Sequence, residues 1–209
     1  MVNQGKNIFL THTSIFFLLI SLPFFAGCGT TKQSKFYTLS SLKMEDTGQK
    51  AITSDSKISI GIGPVNLPYY LARPQMVSRT SQHEVFVDEF NRWADDLGND
   101  ITRVLSENLL LLLSSEHIAF FPLEQAAVIE YKIMLNVTRF DVMPDDTFQL
   151  KTQWGILEKD GKKLIVRETS LSESIDGKDA GARVAAMSRS LEKLSSEIAE
   201  GIKAVLKKE

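Results

Sequence analysis

The sequence predicts an α+β fold, an antiparallel-rich β-sheet with two main amphipathic helices packed on one face. Three observations carry this. Ile129 to Val137 and Phe148 to Ile156 alternate apolar and polar residues with period two, the mark of half-buried strands. Asp160-Gly161 follows the second run and is a strong hairpin signal. Apolar residues recur at three- and four-residue steps after Trp93 and again from Val184 to Val205, which gives two helical faces. Strands grouped together with only two helices among them make α+β rather than alternating α/β.

The chain opens on a segment of a different kind. Ile15 to Phe25 is apolar, broken by Ser21 and Pro23. A hydrocarbon-spanning helix needs roughly 20 apolar residues, whereas a signal-peptide apolar region needs about 7–15. Lys6 and the amino terminus supply the positive leading region, and no acid precedes Glu45. Small residues, Ala26 and Gly27, then precede Cys28, the only cysteine. Phe25-Ala26-Gly27-Cys28 resembles a bacterial lipobox, with Phe25 where Leu, Val or Ile is usual. That resemblance implies cleavage before Cys28, a diacylglycerol on its thiol and an N-acyl chain such as palmitate on its new amino group. Residues 1–27 are then a cleaved lipoprotein signal peptide, 28–35 the lipidated cysteine and tether, and 36–209 a single periplasmic domain. Each buried methylene contributes about 0.8 kcal/mol, so three acyl chains hold firmly where one is marginal. Gly29 follows the cysteine instead of Asp, which implies the periplasmic face of the outer membrane in a Gram-negative bacterium.

Within the domain, Phe36 to Leu39 reads as a brief strand and Lys43 to Lys57 as a polar linker. Ile58, Ile60 and Ile62 alternate with Ser59 and Gly61 in a second strand. Pro64, Pro68 and Pro74 then impose extended geometry and remove donors. Val85 to Phe90 reads as another short strand. The first helix starts at Trp93, with Trp93, Leu97, Ile101, Val104, Leu105 and Leu112 on one face; Leu109 to Leu113 makes its last turn apolar all round, which implies deep packing. Ile118 to Pro122 reads as a strand. A turn at Met143–Asp146 joins the two alternating strands, Leu164 to Leu171 returns after Asp160-Gly161, and the helix through Val184, Met187, Leu191, Leu194, Ile198, Ile202 and Val205 closes the domain.

Twenty-four basic residues against 26 acidic ones, with no basic run or basic–aromatic interleaving, point away from nucleic acid. With Cys28 acylated there is no internal disulfide, so the core carries stability. His83 and His117 stand singly, without the spacing of zinc ligands. The acidic stretches match no calcium loop. Gly61-x-Gly63 lacks the helix start that a phosphate cradle needs. No nucleophile, base and orienter fall together, so the chain reads as a non-enzyme with no catalytic residue, no metal and no cofactor beyond the covalent acyl groups.

"GPVNLPYYLARPQMVSR" followed by "NRWADDLGNDITRVLSENLLLLL" resembles the PqiC (YmbA) family of ABC-type transport auxiliary lipoproteins. Gly63, Pro64, Val65, Leu67, Pro68, Tyr70, Leu71, Arg73, Pro74, Gln75, Val77, Arg92, Trp93, Ala94 and Leu97 match its pattern. Ala72 replaces its usual Asp, and Asp95-Asp96 replace Glu-Pro. The resemblance implies an auxiliary or docking subunit of an MCE-type intermembrane lipid-transport system that maintains envelope integrity. Its partner is an inner-membrane-anchored, PqiB-like MCE-domain protein, and the outer membrane is held through the lipid anchor. A homo-oligomer suits a tube-shaped partner. Leu67, Pro68, Tyr70, Leu71, Arg73, Pro74, Gln75, Arg92 and Trp93 are the expected partner-binding residues, with Arg79 also available for pairing. A plainer role for the same residues is to wrap the sheet and pack the first helix, with Arg73 paired to Asp95 or Asp96. The alternatives for the whole chain are a periplasmic lipid-binding carrier, an accessory lipoprotein of another ABC transporter, or a periplasmic hydrolase.

Overall fold

Three long strands dominate the computed structural model, which describes residues 32–43, 59–113 and 129–207. The strands are β1 (Lys35–Tyr37), β2 (Ile60–Asn66), β3 (Gln75–Arg79), β4 (Val85–Trp93), β5 (Tyr131–Val142), β6 (Thr147–Glu158) and β7 (Lys163–Ser174). Helix α1 (Leu97–Leu113) lies between β4 and β5, and α2 (Ala180–Leu206) follows β7. Cys28, residues 1–27, most of the polar linker and the expected strand at 118–122 lie outside the described residues. Ser34–Glu209 forms one compact unit.

β5, β6 and β7 form an antiparallel meander, and both strand pairings run almost the full length of the strands. The alternation in sequence becomes alternation in burial. Tyr131, Ile133, Leu135 and Val137 are buried, while Met134, Asn136 and Thr138 between and after them are exposed. A register shift between Val137 and Arg139 then moves the inward set to even positions, Phe140 and Val142. On β6, Phe148, Leu150, Thr152, Trp154 and Ile156 turn to the core. Phe140 and Phe148 meet edge to face at 4.8 Å.

Both hairpins close in the same way. The Glu158 amide donates to Lys162 O and the Gly161 amide to Glu158 O, each at 2.9 Å. The Met143 amide donates to Thr147 O and the Asp146 amide to Met143 O. Each is a tight turn ending on a residue with positive φ, Gly161 at 90° and Asp146 at 57°. Of the expected Asp160-Gly161 pair, only Gly161 uses positive φ.

The sheet order is β1-β4-β3-β5-β6-β7, with β2 also on β5. The antiparallel pairs β3/β4, β5/β6 and β6/β7 are joined by parallel pairs β1/β4, β2/β5 and a single β3/β5 bridge. Trp93 differs from its expected place. It ends β4 and does not begin the helix, because Asp96 caps the first turn by accepting from the Asn99 amide at 3.1 Å. Leu109 alone of the leucine run is fully buried; Leu110 to Leu113 are half-buried.

The segment after β1 is strapped across both helices by side chains. The Leu39 amide donates to Asp100 Oδ2 and Arg103 Nη2 donates to Leu39 O, both at 2.7 Å. The Ser40 amide donates to Ser188 Oγ and the Leu42 amide to Asn108 Oδ1. A chain segment with no strand partner must satisfy its backbone somewhere, and here the helices supply the groups. The helices are joined to each other by Asn108 Nδ2 donating to Ser195 Oγ.

Candidate functional site

The proline-rich stretch fills a gap along β5. β2 leaves β5 at the Asn66–Asn136 pair, and β3 rejoins it at Ser78–Val142. Residues 67–74 must detour between these points. Gly63, with φ of 120°, begins the approach at a cis Gly63-Pro64 peptide; a side chain at this φ is strained. A turn follows, with the Leu71 amide donating to Pro68 O at 2.9 Å and the Ala72 amide to Tyr69 O at 3.3 Å. The chain then meets β4, where the Trp93 amide donates to Pro74 O at 2.7 Å. The start of α1 packs on this corner: a Cβ on Gly98 would lie in ordinary contact with Val65 O and a Leu67 methyl, at 3.5 and 3.6 Å, and more tightly, at 3.1 Å, against Asp96 Oδ1.

One buried carboxylate fixes the turn from behind. The Tyr70 hydroxyl lies 3.0 Å from both oxygens of Asp141. Arg79 Nε donates to Asp141 Oδ2 at 2.8 Å, and its guanidinium lies 5.7 Å from the centre of the Tyr70 ring. The Asp141 side chain is fully enclosed, and only 16% of that of Arg79 is exposed. Burial pushes the Tyr70 phenol above the ordinary tyrosine range; Arg79 opposes this and the Asp141 charge reinforces it. The hydrogen bond to Asp141 holds Arg79 more firmly protonated than a free arginine. With Tyr70 turned inward, its neighbour Tyr69 stands 90% exposed at the tip.

The expected partner residues therefore divide. Leu71 and Trp93 are core residues, 3% and 5% exposed, and do not form part of an open surface. Leu67 and Tyr70 pack partly against the core. Pro68 is half-buried and Pro74 exposed, and Gln75 donates to Glu89 at 3.2 Å. Arg73 does not pair with Asp95 or Asp96: Asp96 caps α1, and Asp95 accepts from the Asp96 amide. Arg73 and Arg92 are half-buried, and the Nε of each is enclosed without a partner among the described residues. Arg79 pairs inward. Tyr69 and Asp141 were not foreseen. Two adjacent tyrosines do not announce which one faces in, and Asp141 reads in sequence as part of an acidic turn. The visible signal was Asp141 at the end of an otherwise alternating strand.

Among the described residues, no three of His, Cys, Asp and Glu come together as metal ligands, and no helix is long and apolar enough to cross a membrane. His83 is exposed, its amide bonded to Ser81 Oγ.

The architecture belongs to a class already seen in crystals. One similar structure, an uncharacterized protein, superposes with a TM-score of 0.68 at 20% identity, covering 81% of this chain and 99% of its own. A Xanthomonas campestris protein of the DUF330 family gives 0.64 at 14% identity, covering 79% and 93%. These likenesses show the fold. Residues 37–199 match the family described as the ABC-type transport auxiliary lipoprotein component, and the chain belongs to that family, the PqiC-like lipoproteins. No curated protein matches. Membership makes the chain an auxiliary component of transport, of a lipoprotein kind that sits in the envelope.

Proposed function

We propose that this protein is a periplasmic docking subunit, anchored in the outer membrane through acyl chains on Cys28, for an MCE-type intermembrane lipid-transport system. It holds one end of an inner-membrane-anchored MCE-domain protein against the outer membrane and performs no chemistry itself. The observation that carries this is the rigid proline corner. The Tyr70–Asp141–Arg79 cluster immobilises the turn, so Tyr69 and the rim formed by Pro68, Ala72 and Pro74 meet a partner already ordered. A surface ordered in advance loses little entropy on association, and exposed aromatics are the side chains most used as interface anchors.

The packing beneath α2 favours a dock over a lipid carrier. A Cβ on Gly201 would lie 3.2 Å from both the Trp154 ring and the Ile156 terminal methyl, so helix and sheet meet without space for an acyl chain there. A carrier needs an apolar cavity.

The test is crosslinking in the native host. The full-length protein with a C-terminal tag is crosslinked in the envelope and purified. Recovery of an MCE-domain protein, lost on Cys28→Ala with the domain still folded, supports the dock. Recovery of phospholipid or other envelope lipoproteins without such a protein supports a carrier or an adaptor for another transporter.

A further inference from the structure

Arg73 and Arg92 form no ion pair with an acid among the described residues. Their Nε atoms are enclosed and have no hydrogen-bond partner among the described residues. Both side chains are half-buried. The acids on the same segment bond to other groups. Asp88 accepts from the Phe90 and Asn91 amides and from the Asn91 side chain, and Glu89 accepts from Gln75. Asp95 and Asp96 bind amides at the start of α1.

The strand register places these cations beside an exposed apolar side chain. Phe36 of β1 pairs with Arg92 of β4, which pairs with Gln75 of β3. Side chains directly opposite one another share a face of the sheet. Arg73 stands two residues before Gln75, diagonal to Arg92 across the Pro74–Trp93 contact. Phe36 is 63% exposed, and Lys35 beside it is exposed. β1 is an edge strand. Phe36 lies eight residue steps after Cys28, and extended chain covers at most about 3.5 Å per step. A lipid on Cys28 thus keeps β1 within about 28 Å of the bilayer.

We infer that Phe36, Arg73 and Arg92 form a membrane-seating face, in which the phosphates of anionic phospholipid headgroups pair with the two arginines and Phe36 enters the interface beside them. The guanidinium fork matches phosphate in a bidentate fashion. Basic side chains at a bilayer surface are drawn to anionic lipid. A carboxylate on a protein would satisfy the same forks, but the tether guarantees the nearness of the bilayer alone. The inference rests on Cys28 being the lipid attachment site, and it makes β1 the bilayer-facing edge of the sheet.

The test uses the full-length acylated protein in phosphatidylethanolamine vesicles, with and without phosphatidylglycerol, part of the lipid carrying brominated acyl chains. Phe36→Trp supplies a fluorescent reporter, and the wild type supplies the background of the enclosed Trp93 and Trp154. The expected result is quenching of the reporter above that background in phosphatidylglycerol vesicles, reduced by salt. Arg73→Gln and Arg92→Gln weaken the attraction about fivefold each and remove the response to phosphatidylglycerol. A reporter quenched no more than background, in a protein that floats with the vesicles, overturns the inference and leaves the anchor standing. So does quenching that ignores phosphatidylglycerol, salt and both arginine substitutions, or loss of the quenching on adding a polyglutamate peptide. Failure of the full-length protein to float overturns the anchor reading and this inference with it.

Discussion

Asp141→Asn is the most informative single change in this protein. It keeps the shape of a fully enclosed side chain and removes its charge. Tyr70 can still donate to the amide oxygen, but Arg79 loses the one acid it pairs with among the described residues. Breaking a buried pair by removing one partner costs about 3–5 kcal/mol. Arg79 retains some exposure, a 3.3 Å contact to Gln82 O and the face of Tyr70, and these reduce the figure. The expected loss is about 2–3 kcal/mol, or about 4–12 °C in Tm for a domain of this size. Urea unfolding followed by tryptophan fluorescence measures it. Tyr70→Phe, which removes a hydrogen bond to a charged acceptor, should cost about 1.5 kcal/mol. The two changes share one carboxylate, so their sum should miss the double variant by about 1 kcal/mol. Replacing all three groups by apolar ones of similar volume (Phe, Met and Leu at 70, 79 and 141) should cost less than Asp141→Asn alone, since no charge is left unpaired. A cost below about 0.5 kcal/mol for Asp141→Asn, or strict additivity with Tyr70→Phe, would refute the account of the corner as a pinned turn.

The raised Tyr70 phenol makes a related prediction about pH. The folded state holds its proton where the unfolded chain has released it, so stability is intact below the ordinary tyrosine range and falls as pH rises from there towards the raised value. Tyr70→Phe should remove that component of the alkaline limb in unfolding measured against pH. Asp100→Ala takes the acceptor from the Leu39 amide and the main acid from Arg103, and should cost about 2 kcal/mol. Hydrogen exchange should show the Leu39 and Leu42 amides losing protection before those of β6. Asp145 accepts from the Thr147 hydroxyl and amide, which hold its carboxyl below the ordinary aspartate range; its contribution is present above that range and lost as pH falls through the lowered value. Thr147→Val should return the carboxyl towards the ordinary range in an NMR titration.

What the sequence made legible was what is local. The period of two in β5 and β6 and the steps of three and four in α2 appear in the fold almost residue for residue, because burial on one face directly selects the side chains. The errors have equally physical causes. Trp93 lies four residues before Leu97 and so completes a helical stripe by spacing alone; the decisive residue was Asp96, whose carboxylate caps the first turn and leaves Trp93 on the strand. The leucine run reads as buried all round, yet only Leu109 is fully enclosed, while Leu110, Leu112 and Leu113 pack against the core from its margin. The pairing of β1 with β4 joins residues more than fifty positions apart and leaves no local mark. In the proline corner, the motif disclosed an extended aromatic segment but not the division between Tyr69 and Tyr70. That division depends on Asp141, a carboxylate whose role appears only when β3 and β5 are side by side.

The same long-range contacts bear on the proposed role as a tethered dock. A load applied through the tether reaches the fold first at β1, which is only three residues long. Alone, such an edge strand would peel away readily, since its few ladder bonds open one after another. The chain behind it is held differently. Leu39 is gripped at both its amide and its carbonyl, Ser40 at its amide by α2, and Leu42 at its amide by α1. Load passing β1 is therefore shared between the two helices at their mutual contact, where Asn108 serves both Leu42 and Ser195. The proline corner sits on the other side of β4 from β1, fastened to Trp93 and Asp141. In the proposed dock, anchor and docking rim are thus joined through the hydrogen-bonded sheet, so that a partner seated on the rim is held close against the membrane.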